Sequence, residues 1–216
     1  MNTHIKFFII VAIFLLNILT VTGQNLVQQV YPNHYTYWKI QKSSQLKING
    51  ATNINKFKCR FESPELSDTL SLLLNYEKTN VEFNHDELLI NVKSFDCFNP
   101  LITHDFRKTL QADIHPNIHI QFLNLEFTPD LDPDSIRGNI TIMLAGVRKE
   151  YTINYKIANL KNNVWSLLGT KQLAFSEFGL EPPTRLMQLI KVKDELNISF
   201  DLQLKQIYVV KDFIQE

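Results

Sequence analysis

His115 and His119 stand four residues apart, the separation at which two imidazoles share one helix face and can hold one metal ion. Pro116 lies between them, and Ile118, Ile120 and Phe122 alternate just beyond, which places His119 on a strand pointing away from those apolar neighbours. No metal pair is therefore predicted. His104 and Asp105 are adjacent within a helical pattern, where sequence neighbours do not face each other, so a solvated helix surface is the simpler reading. Ser176 lacks the glycine-framed elbow of a serine hydrolase and has no evident histidine partner. Asp194 and Glu195 adjoin in a strand or turn, so their carboxylates diverge, which is poor geometry for paired acid–base work. Asn139-Ile140-Thr141 and Asn197-Ile198-Ser199 fit the glycosylation pattern, but strand chemistry explains both segments as well. These residues give no support to an enzyme, and they imply neither metal nor cofactor.

Export comes next. Lys6 precedes an apolar run of ten residues, Phe7 to Leu16, and Val21-Thr22-Gly23 supplies a cleavage point. The run is shorter than the ~20 residues a membrane span needs. Residues 1–23 therefore read as a signal peptide cleaved near Gly23, and 24–216 as one domain of a periplasmic or secreted protein. Removing the leader takes away Lys6 alone among charged residues and leaves 21 basic against 22 acidic side chains, a net charge of −1. That balance provides no footprint for nucleic acid. Cys59 and Cys97 are the only cysteines. In an oxidising compartment they make a disulfide candidate, while two buried thiols in a strand core fit the pattern as well.

The elements that would carry these residues are mostly strands. Phe57, Cys59 and Phe61 alternate with Lys56, Lys58, Arg60 and Glu62. Ile118, Ile120 and Phe122 alternate too, and then Leu123, Leu125 and Phe127 shift the phase by one, as a bulge or sharp bend requires. Ile140, Ile142 and Leu144 lead into Gly146, and Val147, Tyr151, Ile153 and Tyr155 return, which predicts a tight connection within 144–151. Leu196, Ile198, Phe200, Leu202 and Leu204 make a long strand with one apolar face. One helix interrupts the strands over about 99–111: Asn99 suits its cap and Pro100 its first position, with Leu101, Ile102, Phe106 and Leu110 on one side. Gly179 and Pro182-Pro183 fix a corner. Many short strands and one covering helix argue for an all-β, extended antiparallel barrel.

Four blocks in order resemble the YceI-like family of lipid-binding, lipocalin-like barrels. They are Ser44-Gln45-Leu46-Lys47-Ile48-Asn49-Gly50 through Phe57, then Leu110 to Ala112 with Pro116-Asn117-Ile118, then Gly138-Asn139-Ile140-Thr141-Ile142, and finally Phe175-Ser176-Glu177-Phe178-Gly179-Leu180-Glu181-Pro182-Pro183. Arg148 stands where the family often has Thr, and Ile102 where it often has Met. The resemblance implies an apolar tunnel holding a long-chain isoprenoid, of quinone or polyprenyl type, or a fatty-acid-like amphiphile, for transport or storage. The tunnel lining would come from Phe57, Phe61, Phe122, Ile140, Ile142, Leu144, Ile198, Phe200 and Leu202, with His104 and Phe106 as head-group or lid residues. Transient membrane contact and a homodimer are compatible with it. By pattern alone the same apolar residues also describe a packed core, and so an exported interaction module; a lipid-modifying hydrolase would need polar groups converging on the tunnel mouth.

Overall fold

Apolar and polar residues alternate along most of the chain, and most of the resulting strands form one antiparallel sheet curled on itself, with Thr184–Arg185 and Ile190–Lys191 pairing separately. The computed structural model describes residues 34–61, 69–74, 80–84, 87–126, 134–185 and 189–211; the leader read over 1–23 and the predicted strand residue Phe127 lie outside them. In chain order the elements are β1 (His34–Ile40), β2 (Gln45–Ala51), β3 (Lys56–Phe61), β4 (Thr69–Leu74), β5 (Asn80–Phe83), β6 (Glu87–Asn91) and β7 (Phe95–Asp96). There follow α1 (Pro100–Thr109), β8 (Asn117–Glu126), β9 (Ser135–Leu144), β10 (Val147–Asn159), β11 (Val164–Ala174), β12 (Thr184–Arg185), β13 (Ile190–Lys191) and β14 (Glu195–Lys211).

Strands β1-β4-β5-β8-β9-β10-β11-β14 neighbour one another in that order, and β14 pairs back onto β1, closing an eight-strand barrel. Closure gives every ring strand a partner on both sides over at least part of its length, which limits the exposed edge that makes open sheets vulnerable. Two long strands fork. Along one edge β14 pairs first with β2 (Asn197–Asp201) and then with β1 (Leu204–Lys211). Similarly, β8 pairs with β6 from Asn117 to Gln121 and with β5 from Asn124 to Glu126. The predicted phase slip falls at that second fork: the register of β8 against β9 shifts between Phe122 and Asn124. One extra residue there bends the strand from one partner to the next. The branch strands β2, β3 and β7 add a second wall beside the ring.

The turns follow their residues. Ala145 (φ 49°) and Gly146 (φ 80°) form a two-residue connection between β9 and β10, with the positive dihedrals that match hairpin twist. Gly179 (φ 67°) ends a 3-10 turn, Phe175–Phe178, that Asp194 holds from across the corner by accepting from the Ser176 backbone at 2.9 Å and from its hydroxyl. Asn99 caps α1, accepting from the Leu101 and Ile102 backbone N–H groups, and Pro100 takes the first turn. The apolar stripe of α1 is narrower than expected. Phe106 and Leu110 are buried, whereas Leu101 is 54% exposed, because Thr103 turns inward and donates toward Asp96 while accepting from the Cys97 backbone at 3.0 Å.

Cys59 on β3 and Cys97, just after β7, form a disulfide and are both buried. The bond ties the second wall to the segment that starts α1. Its 38-residue separation makes loop closure worth about 3–4 kcal/mol. Replacing both cysteines by serine is expected to lower urea-unfolding stability by about that amount. An unchanged midpoint would show that the cross-link adds nothing to the native state.

Candidate ligand-binding site

Inward-facing residues of β2, β6, β8, β9, β10, β11 and β14 surround a cavity of about 80 Å³ inside the barrel. Phe122, Ile140, Ile142, Ile198, Phe200 and Leu202 all line it. The remaining wall is mostly apolar, with Tyr155, Lys171, Ser44, Gln45 and Asp201 as its polar members. Gly169 makes the space that Phe200 uses: a Cβ there would come within 2.2 Å of the ring. Phe200 in turn stacks at 5.4 Å on Tyr155. The cavity lies beneath the fork, walled by Leu46 of β2 and by Leu88 and Ile90 of β6.

A second, larger space lies outside, between α1, the β2–β3 turn and the β12–β13 hairpin. This groove of about 460 Å³ is floored by Phe57, Phe106, Phe175 and Val192 and rimmed by Ile54 and Leu101. Its volume falls within the ~300–1,000 Å³ of small-molecule sites, and that of the interior cavity falls well below. Asp105 of α1 and Arg185 of β12 make a two-pronged ion pair at the groove, with Arg185 Nε donating to Asp105 Oδ2 at 2.6 Å. Asn53 joins the turn to the hairpin by donating to the Leu189 carbonyl (2.9 Å) and accepting from the Lys191 N–H (3.0 Å). Ile54 and Leu189 are thereby left 70% and 72% exposed.

Three residues expected in the tunnel lie elsewhere. Phe57 lines the outer groove, with its ring packed over Gly50 on the adjacent strand. Phe61 pairs with β7 and stacks at 5.5 Å on Phe95, inside the packed second wall. Leu144 ends β9 at the hairpin and packs against the core beside the cavity. Neither lid candidate sits over an opening to the interior cavity. Phe106 is buried against Phe95 at 5.4 Å, and His104 is exposed toward a polar surface cleft with Asp96 and Arg107. The helix residues that line the groove are Leu101, Ile102, Asp105, Phe106 and Thr109.

The other chemistry-bearing residues have structural partners. His119 meets Glu87 across β6–β8 at 3.0 Å, and His115 packs on Gly146 of the hairpin. Among the described residues no group of three His, Cys, Asp or Glu side chains is placed to hold a metal. Asn139 is engaged by Asn124 and Thr152.

The Asp105–Arg185 pair escaped sequence reading, since 80 residues separate its members. Lys171 did carry a signal. It sits opposite Ile198 in the series Leu167, Gly169, Lys171, Leu173, the one cation on the inward face of β11.

Burial pushes the Tyr155 phenol well above its ordinary range, so the cavity holds a neutral hydroxyl. Tyr151 is raised to about 12, first by burial and then by the charge of Glu177, whose Oε2 accepts from its hydroxyl at 3.3 Å. A phenol with a raised folded-state pKa keeps its proton when the unfolded chain has lost it, so its stabilisation is complete below pH 10 and declines as pH rises above it. Tyr155→Phe is expected to flatten the loss of stability between pH 10 and 12, read as Tm against pH. An equal decline in both proteins would mean that Tyr155 titrates normally.

No protein-family model matches the sequence, and no curated protein sequence does either. The fold is not solitary. The crystal structure of Burkholderia cenocepacia BcnA superimposes with a TM-score of 0.57 at 15% identity, covering 74% of this chain and 95% of that one. A polyisoprenoid binding domain from Saccharophagus degradans, implicated in plant cell wall breakdown, gives 0.52 at 10% identity, covering 79% of this chain and 98% of that one. At such identities the common property is the fold. This chain has the fold of the YceI-like barrels.

Proposed function

We propose that the protein is an exported carrier, periplasmic or secreted, that holds a long-chain isoprenoid or a related amphiphile with its tail in the barrel interior, for transport or storage. The observation that carries this reading is the apolar cavity lining, supplied by seven strands and reached by six of the residues expected to form it. Likeness to a polyisoprenoid binding domain adds support. Each buried methylene is worth ~0.8 kcal/mol against water, so the effective competitor for a tail is a bilayer, and exchange with one is close to balanced. Exposed Ile54, Leu101 and Leu189 around the groove suit transient contact with such a surface. The leader pattern and the disulfide both fit an oxidising compartment.

A second reading draws on the cavity's size. At about 80 Å³ the interior takes a long tail only if side chains of its wall move aside. A barrel that stays packed is an interaction module without a ligand.

Native mass spectrometry of the exported protein with organic extraction separates the two, and the carrier reading expects a stoichiometric isoprenoid or acyl species. Ile142→Asp, which puts a charge into the cavity wall, is expected to reduce uptake of a quinone or fatty-acid probe at least tenfold or to unfold the barrel. Ile142→Phe fills the same space without a charge and should fold while reducing uptake. Probe binding unchanged in a folded Ile142→Phe variant would mean that the probe does not occupy the cavity, and no ligand and no uptake by the parent protein would leave the packed module.

A further inference from the structure

The barrel wall is incompletely zipped between β10 and β11. Their ladder runs only from Tyr155 opposite Gly169 to Asn159 opposite Trp165. Beyond it, β10 continues to Val147 paired with β9, and β11 continues to Ala174 paired with β14. The two strands part there, and side chains fill the gap. Tyr151 reaches Glu177 and stacks at 6.4 Å on Phe178, while Lys171 Nζ crosses to donate to the Thr152 carbonyl at 3.3 Å, lying 5.1 Å from the Tyr151 ring centroid.

Ile153 and Lys171 line the interior cavity and also a polar cleft of about 480 Å³ on the outer surface of the same gap. The wall is therefore one side chain thick at this point. Arg137, Thr152, Asn154, Thr170 and Gln172 complete the outer cleft.

We propose that this gap is a lateral portal binding an amphiphile with a carboxylate head, the head on the Lys171 ammonium in the outer cleft and the tail passing Ile153 into the cavity. The proposal rests on the lipid-carrier reading and narrows it to acidic ligands. Lysine at an inward position keeps its alkyl stem in the apolar cavity and its charge at the wall. Among the described residues no carboxylate forms an ion pair with it. The nearby acids are engaged elsewhere: Glu177 accepts from the Ala174 N–H at 2.8 Å, and Asp201, which also lines the cavity, accepts from Ser166 Oγ at 2.6 Å. A ligand carboxylate would exchange the long bond to Thr152 for a shorter charge-assisted one. The Lys171 ammonium, with Arg137 on the same cleft, suits an anionic head, and it offers a neutral quinone ring no comparable gain.

The test compares cis-parinaric acid with its methyl ester, by fluorescence titration of the mature protein. The acid is expected to bind about tenfold tighter than the ester, as one charge-assisted hydrogen bond allows. Lys171→Met should erase that preference, and Lys171→Arg should restore it. A preference that survives Lys171→Met, or equal binding of acid and ester by the parent protein, overturns the portal assignment and leaves the carrier reading standing. A parent protein that binds neither probe and yields no extractable lipid overturns both, and tighter binding of a dianionic phosphate monoester than of the acid overturns the choice of carboxylate.

Discussion

Backbone pairing along one strand, Glu195–Lys211, is the constraint on which the rest of the barrel depends. An unpaired, buried N–H or C=O costs about as much as a lost hydrogen bond, so a strand of seventeen residues needs partners along both edges. β11 covers one edge for eleven residue pairs, and no single strand covers the other. β2 takes the first part and β1 the second, which makes the fold both a ring and a branch. β8 solves the same problem with β6 and β5, using its bulge to change partner. The interior cavity opens beneath these branches, where a second wall spreads the sheet wider than the ring alone.

Ring and branch are then filled by two repeated devices. One sets an aromatic ring over a glycine on the adjacent strand, Phe57 over Gly50 and Phe200 over Gly169, so that a large apolar group lies flat where a Cβ would collide. The other settles each stray polar group locally. Asp194 holds the Ser176 turn, Asn53 joins two loops, and Asp105 meets Arg185 between helix and hairpin. Few polar groups are left to specify a ligand, and two that touch the cavity, Tyr155 and Lys171, are separated in role: one is a neutral phenol inside, the other a cation at the wall.

How much of this was legible in the sequence depends on the range of each interaction. The helix start at Asn99-Pro100, the 145–146 turn and the slip after Phe122 are decided within a few residues, and each stands where its pattern put it. The inward faces of β9 and β14 were equally plain, because alternation alone assigns Ile140, Ile142, Ile198, Phe200 and Leu202 to one side. What alternation cannot give is which space an inward residue meets. Phe61 obeys the pattern but faces Phe95 in the second wall, since the branch was invisible in a chain read as a simple ring. Leu101 obeys helical spacing but stands out in the groove, for its neighbour Thr103 had a backbone partner to satisfy. The groove itself is assembled from segments near positions 54, 105 and 190, which no local pattern relates.

The order of pairing along the chain has a kinetic side. Every ring strand except β14 precedes it, and β14 must find β1 some 165 residues upstream in contour, at Ile40 opposite Leu204. Contacts of such separation are formed late and slowly, because loop entropy is lost before they contribute. Until then the polypeptide has hairpins such as β9–β10 but no closed cylinder. A nascent chain of this design forms its local hairpins first and closes its cylinder only once the last strand is available to pair on both sides.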